Sequence, residues 1–354
     1  MPSYSSTYAQ AACSFLFLLL LLNPNFSNKA TAKHTHSSSS THHHRQRPAA
    51  ATNPRLHSAY LALQAWKRVI YSDPSNYTSN WAGPSVCSYN GVYCTASVDD
   101  PETQVVAGID LNHLDIAGFL PDELGLLADL ALVHINSNRF CGIVPQAISN
   151  LTLLHELDLS NNRFVGPFPS PVLALPSLKF LDIRYNEFEG PLPPQLFGMI
   201  SQFADTLEEL LLVNSSLQGC LPPEVGYLYK LRLLDVSRNG LVGPVPYSLA
   251  GLAHLEVLNL GHNLMTGIVP GGVCVLPRLD NFTFSYNFFC VRFDDRRNCL
   301  PEKPLQRSKE LCDIVAEHPV DCGQRCTGGS AAGFVDGGGA LAPFLAPAVA
   351  PGPT

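Results

Sequence analysis

Glu156-Leu157-Asp158-Leu159-Ser160-Asn161-Asn162-Arg163-Phe164-Val165-Gly166 places two leucines one residue apart, then an asparagine, a phenylalanine and a glycine. Leucines at alternate positions suit a short strand that buries one face. Aligned on Asn162, the same order of residues returns at Leu114, Asn138, Asn186, Ser215, Asn239, Asn263 and Asn287, 24 residues apart except for one interval of 29. The surplus falls after Asn186, near Met199 to Ala204. Four residues beyond the first seven positions stand Gly118, Gly142, Gly166, Gly190, Gly219, Gly243 and Gly267, each followed three residues on by a proline. A period of this length marks coils stacked into a solenoid.

Each residue type has a physical task. The leucines point inward, the asparagine amide satisfies backbone groups left open where the chain turns, and the glycine lets the backbone bend outward. Proline favours an extended or one-turn helical return on the convex side. No coil hides its leucines alone, so the coils stack and both ends need caps. The expected fold class is an α/β repeat, a plant-type leucine-rich-repeat solenoid over 105–290.

Outside the repeats, the composition changes. Leu56, Tyr60, Leu63, Trp66, Lys67 and Ile70 fall near helical spacing until Asp73-Pro74 breaks the pattern, and with Cys87 and Cys94 they make 56–104 an N-terminal cap. Residues 1–32 read as a signal peptide: Phe15 to Leu22 is apolar, too short to span a bilayer, and Ala30-Thr31-Ala32 is a cleavage site. Residues 33–55 are a His- and Ser-rich disordered arm whose contiguous His42, His43 and His44 offer no fixed metal geometry, so neither metal nor cofactor is expected. A cysteine-rich tail, 291–326, closes the other end, and 327–354 is Gly-, Ala- and Pro-rich disordered tail. No transmembrane segment is expected.

Of eleven cysteines, Cys13 belongs to the signal peptide, leaving ten, an even number suited to an oxidising compartment. Cys87, Cys94, Cys274, Cys290, Cys299, Cys312, Cys322 and Cys326 are expected in disulfides. Cys141 and Cys220 sit three coils apart, beyond a Cα limit of about 7 Å, so each takes another partner or stays a buried thiol. Sequons at Asn76, Asn150, Asn214 and Asn281 fit a secreted glycoprotein.

Side chains between and beyond the leucines project onto the concave face. The central column reads Asp110, His134, Asp158, Asp182, Leu211, Asp235, Asn259 and Thr283. Beside it run Asn112, Asn136, Ser160, Arg184, Val213, Ser237, Gly261 and Ser285, then a column containing His113, Tyr185, Arg238, His262 and Tyr286. Four aspartates, with Glu156, Glu208, Glu209 and Glu256, form an acidic ribbon. Val105 to Cys290 holds 17 acidic and 8 basic residues, net −9, whereas Lys33 to Glu102 holds 4 acidic and 6 basic, net +2. Such a face steers a basic partner and disfavours nucleic acid. The candidate contacts on it are Asp110, Asn112, His134, Asn136, Asp158, Asp182, Arg184, Tyr185, Asp235, Asn259 and Tyr286; those in the tail are Asp294, Asp295 and Glu302. His113, His134, His155, His254 and His262 are scattered over separate coils without zinc spacing, and the sequence has no nucleophile elbow, P-loop or paired-carboxylate signature. The chain reads as a binding protein, not an enzyme.

Leu63-Gln64-Ala65-Trp66-Lys67, Val86-Cys87-Ser88-Tyr89-Asn90-Gly91-Val92-Tyr93-Cys94, Asn136-Ser137-Asn138-Arg139-Phe140-Cys141-Gly142 and Asn298-Cys299-Leu300-Pro301 resemble the N-terminal half of the plant leucine-rich repeat extensins, over roughly Leu56 to Cys326. The resemblance implies that Cys87 and Cys94 close the cap. It further implies a secreted, apoplastic cell-wall protein whose repeats and cysteine-rich tail hold a small basic, cysteine-containing signalling peptide of the rapid alkalinisation factor family. Cell-wall organisation, growth control, contact with wall polysaccharide and homodimers belong to the same implication. Family members continue into Ser-Pro-Pro-Pro-Pro repeats, whereas the 28 residues after Cys326 contain none. Polygalacturonase inhibitors share secretion and the 24-residue coil, so inhibition of wall-degrading enzymes is the alternative, beside a purely structural wall role.

Overall fold

In a computed structural model of the chain, residues 53–192 and 205–289 are described. The signal peptide, the arm up to residue 52, the insertion near Met199 to Ala204 and both tails lie outside them. So do Asp294, Asp295, Glu302, Cys290, Cys299, Cys312, Cys322 and Cys326.

Every expected coil contributes its strand. β1 (Val92–Ala96) pairs antiparallel with β2 (Gln104–Asp110). To β2 are added β3 (Leu132–His134), β4 (Glu156–Asp158), β5 (Phe180–Asp182), β6 (Glu209–Leu211), β7 (Leu233–Asp235), β8 (Val257–Asn259) and β9 (Asn281–Thr283), all parallel and in chain order. Ile109, Val133, Leu157, Leu181, Leu210, Leu234 and Leu258 lie abreast and face the core, all buried. The long interval leaves this register intact, since Leu181 pairs with Leu210. On the convex side, short 3-10 turns at Asp122–Leu126, Gln146–Asn150, Ser170–Ala174, Pro223–Tyr227 and Tyr247–Gly251 each follow the repeat's proline directly. The fixed proline φ sets the start of that one-turn return.

The asparagines do the expected work. Asn162 Oδ1 accepts the Phe140 N–H at 2.9 Å, and its Nδ2 donates to the carbonyls of Ile135, Leu159 and Ser160 at 2.9–3.1 Å. Asn138, Asn186, Asn263 and Asn287 repeat the pattern, all buried, so each amide ties its own turn to the coil before it. Gly142 and its counterparts adopt φ near +80°, as an outward bend requires. Gly118 does not: there an added Cβ would meet Val69 O at 2.8 Å and Ile70 Cα at 2.9 Å, because strand Ile70–Ser72 from the cap runs against it.

The cap helix α1 spans Pro54–Val69, starting two residues inside the stretch expected to be disordered arm. Asn53 explains the earlier start, since its side chain accepts from Arg55 N and Leu56 N and Pro54 fits the first turn. Trp66 is fully buried between Trp81 and Phe140, with ring centroids 6.0 and 5.9 Å away, which joins the cap to the second coil. Arg55 adds a salt bridge to Asp129 at 2.8 Å. Cys87 and Cys94 are bonded, Cα atoms 5.6 Å apart.

The cysteine expectations need one correction and one decision. Cys274 is a free, solvent-exposed thiol on the turn Val273–Val275, not the disulfide partner expected. Cys141 and Cys220 are both disulfide-bonded, so neither is a buried thiol. Three strand spacings separate them, Cys87 and Cys94 hold each other and Cys274 is free, so their partners lie outside the described residues.

The ladder generates a stability prediction. Asn162→Ala strands the buried Phe140 N–H and three carbonyls, and is expected to cost about 3 kcal/mol, read as a fall in the urea midpoint. A loss below about 1 kcal/mol would show that water or neighbouring groups replace the amide.

Candidate functional site

The concave sheet carries the expected columns, and their chemistry is set by where each strand stops. Asp110, Asp158, Asp182, Asp235 and Asn259 accept, through Oδ1, the N–H of the residue two further on, at 2.9–3.1 Å. The next residue then turns left-handed: His113, Asn161, Tyr185, Arg238 and His262 have φ of 52–58°. Short Asx side chains close such turns locally, and that is the first role of the aspartate column.

Consequently the acidic ribbon is not uniformly available, a correction to the sequence expectation for two of its members. Asp182 is 1% exposed, gripped by Nε and Nη2 of Arg184 at 2.6–2.9 Å. Burial pushes its carboxyl above the usual range, although the Arg184 hydrogen bonds oppose the shift. Asp158 is also buried, accepting from Asn136 Nδ2 at 2.9 Å and Ser160 Oγ at 2.6 Å. Arg184 and Asn136 are thereby engaged with the face itself. Asn112 accepts the Asn136 N–H at 2.7 Å. Asp110 and Asp235 remain half-buried at the surface, with Asn259 Nδ2 donating to Asp235 at 3.0 Å. His134 Nε2 meets Glu156 at 3.0 Å, and the Glu156 side chain keeps 46% exposure. Tyr185 and Tyr286 are exposed, and Tyr286 stacks on His262 with centroids 4.0 Å apart.

Of one further column, sequence reasoning took Glu156 and Glu209 into the acidic ribbon but missed the apolar members. Gly108, Leu132, Glu156, Phe180, Glu209, Leu233, Val257 and Asn281 lie abreast at the strand entry. Each precedes a core residue, so alternation puts it on the concave face, where Leu132, Phe180, Leu233 and Val257 are half-buried. The signal was present in the residue just before each central leucine. Along the adjacent rim Arg232 bonds Glu256 at 3.0 Å and lies 4.0 Å from Glu208. The four sequon asparagines Asn76, Asn150, Asn214 and Asn281 are exposed. Among the described residues, no group of three or more His, Cys, Asp or Glu is arranged to hold a metal, and no helix is long and apolar enough to cross a membrane.

The Leucine rich repeat N-terminal domain profile matches residues 56–95, and Leucine rich repeat profiles match 153–175, 177–199 and 229–288. Leucine-rich repeat extensin-like protein 6 of Arabidopsis thaliana is 56% identical, over 77% of this chain and 69% of its own length. The chain belongs to the leucine-rich repeat extensin-like family. Among its other members, extensin-like proteins 3 and 5 of the same plant are 66% and 68% identical over 25% of this chain, but the match spans only 12% and 10% of their length. Of solved structures, PEPR1-AtPEP1 superposes with TM-score 0.60 at 27% identity, covering 67% of this family member and 33% of that chain. The Arabidopsis receptor kinase HAESA ectodomain, in complex with an N-terminally extended IDA peptide hormone ligand, gives TM-score 0.53 at 27% identity, covering 67% and 42%.

Removing the Arg184 guanidinium tests the internal pairing in this family member. Arg184→Ala is expected to cost about 2 kcal/mol at pH 7, less than for a fully enclosed pair because the arginine keeps 36% side-chain exposure. Burial raises the Asp182 pKa and the Arg184 hydrogen bonds oppose that rise, so without Arg184 the carboxyl binds its proton at higher pH than in the wild type. The deficit therefore shrinks on acidification, and a deficit constant with pH in denaturant titrations would contradict an unpaired Asp182 charge as its cause.

Proposed function

We propose that this chain is an extracellular, wall-associated binding protein whose concave face holds a small basic, cysteine-containing signalling peptide of the rapid alkalinisation factor type, thereby acting in wall organisation and growth control. One observation carries the reading. After the face has neutralised Asp182 with Arg184 and hydrogen-bonded Asp158, it still presents Glu156, Glu209, Asp110 and Asp235, on repeats whose net charge is −9. A surface of one sign, extended over several coils, selects for a cationic partner and accelerates its capture. Membership of the extensin-like family supports the assignment, as does the likeness to an ectodomain that binds a peptide hormone. Asp294, Asp295 and Glu302 enlarge the acidic site in this reading.

The secreted chain, titrated with a synthetic rapid-alkalinisation-type peptide in a calorimeter, is expected to bind with an affinity that falls as salt rises. Glu156→Gln, Glu209→Gln and Asp235→Asn combined should weaken binding about tenfold and flatten the salt dependence. Unaltered affinity in the triple variant would remove the concave face from the site, and absence of binding by the wild type would refute the reading.

A further inference from the structure

From β3 to β7 the strand-entry column alternates, and Val257 on β8, beside Leu233, ends the alternation. Leu132, Phe180 and Leu233 stand on alternate strands, β3, β5 and β7, and the strands between them carry Glu156 and Glu209. Neighbouring strands lie about 4.8 Å apart, so the apolar positions recur about every 9.6 Å and the row from Leu132 to Leu233 is about 19 Å long. The backbone groups of the inner strands are consumed by the sheet, as in the paired register from Gly108 through Asn281, so a ligand lying across them finds no strand edge to extend.

A peptide crossing this face must match the period without needing backbone partners. A β-strand presents one face every second residue, at about 6.7 Å, and falls out of step at the second apolar position. An α-helix returns to the same face after seven residues, about 10.5 Å, and overshoots the row by about 2 Å. A polyproline II helix returns after three residues at about 9.3 Å, ends within about 0.6 Å of Leu233, and keeps its own backbone solvated.

We propose that the concave face takes a peptide segment in polyproline II conformation, with apolar side chains at every third residue resting on Leu132, Phe180 and Leu233 and basic residues between them. The proposal rests on the peptide-binding reading above and narrows it to a conformation and a sequence period. Glu156 and Glu209 flank Phe180 one strand to either side, so lysine or arginine side chains at the intervening positions reach a carboxylate while their stems cover the ring. Glu156 is shared with His134, whereas among the described residues Glu209 makes no salt bridge, which places the stronger cation subsite between Phe180 and Leu233.

The test uses the full secreted chain and two synthetic peptides of identical composition: four repeats of Leu-Pro-Lys, and a shuffled form with the four leucines adjacent. Fluorescence anisotropy should show the period-three peptide binding about tenfold more tightly. Phe180→Gln should abolish that preference, with circular dichroism confirming the fold; Leu132→Gln provides the same reading from a second position should the first variant unfold. Equal binding of the two peptides, or a preference that survives both substitutions, overturns the proposal and leaves the charge-based reading standing. If neither peptide binds the wild type the proposal also falls, and the titration with the folded basic peptide then decides the wider reading.

Discussion

A buried amide holds this molecule together. In each coil the asparagine after the strand stands where the chain leaves the sheet, and at that bend backbone donors and acceptors would otherwise be lost from both sheet and solvent. Asn162 satisfies one N–H of the preceding coil and three carbonyls, one of which also belongs to that coil, so it is at once a turn stabiliser and a rivet. Repeat proteins are nearest-neighbour systems, and a rivet between neighbours is where their cooperativity resides. Two coils lack the asparagine, the first with Leu114 and the fifth with Ser215, whose hydroxyl donates to Ile183 and Val213 while Asn239 from the following coil accepts both the Ser215 and Leu217 N–H groups. The coil with the weaker rivet is the one that follows the long interval, so the two irregularities of the repeat fall together.

The same economy governs the concave face. An aspartate there first has to close a turn, and only the oxygen left over faces a partner. Asp182 gives even that oxygen to Arg184. Net charge counted along the chain therefore overstates the charge a ligand meets at the fourth coil and describes it fairly at Glu209, whose carboxylate closes no turn.

The fold was legible because its constraint is periodic: Asn at one phase, Gly four residues later and Pro three beyond that reproduce the register through Leu181 and Leu210 despite the long interval. The site was legible in part. Which columns face inward follows from alternation, but the hydrogen bond that the Ser160 N–H donates to Asp158 leaves no trace in composition, and burial of Asp182 depends on an arginine two residues away choosing it over solvent. Leu132 and Phe180 escaped notice because an apolar residue beside a core leucine reads as more core. Cysteine pairing was legible only where family resemblance supplied it, at Cys87 and Cys94; Cys274 misled, since parity of a count carries no geometry.

Asn259 performs the turn-closing task of the aspartates without a charge, accepting the Gly261 N–H at 3.1 Å. At the half-buried positions of this column, those of Asp110, Asp235 and Asn259, aspartate and asparagine are therefore interchangeable parts as far as the scaffold is concerned, whereas Asp182 is tied to Arg184. The potential of the inner surface can be written coil by coil, in single steps of one charge, while the packed interior stays untouched. A lineage of such solenoids can drift from one ligand charge to another at those half-buried positions with the turns still closed, and a protein engineer can follow the same route deliberately.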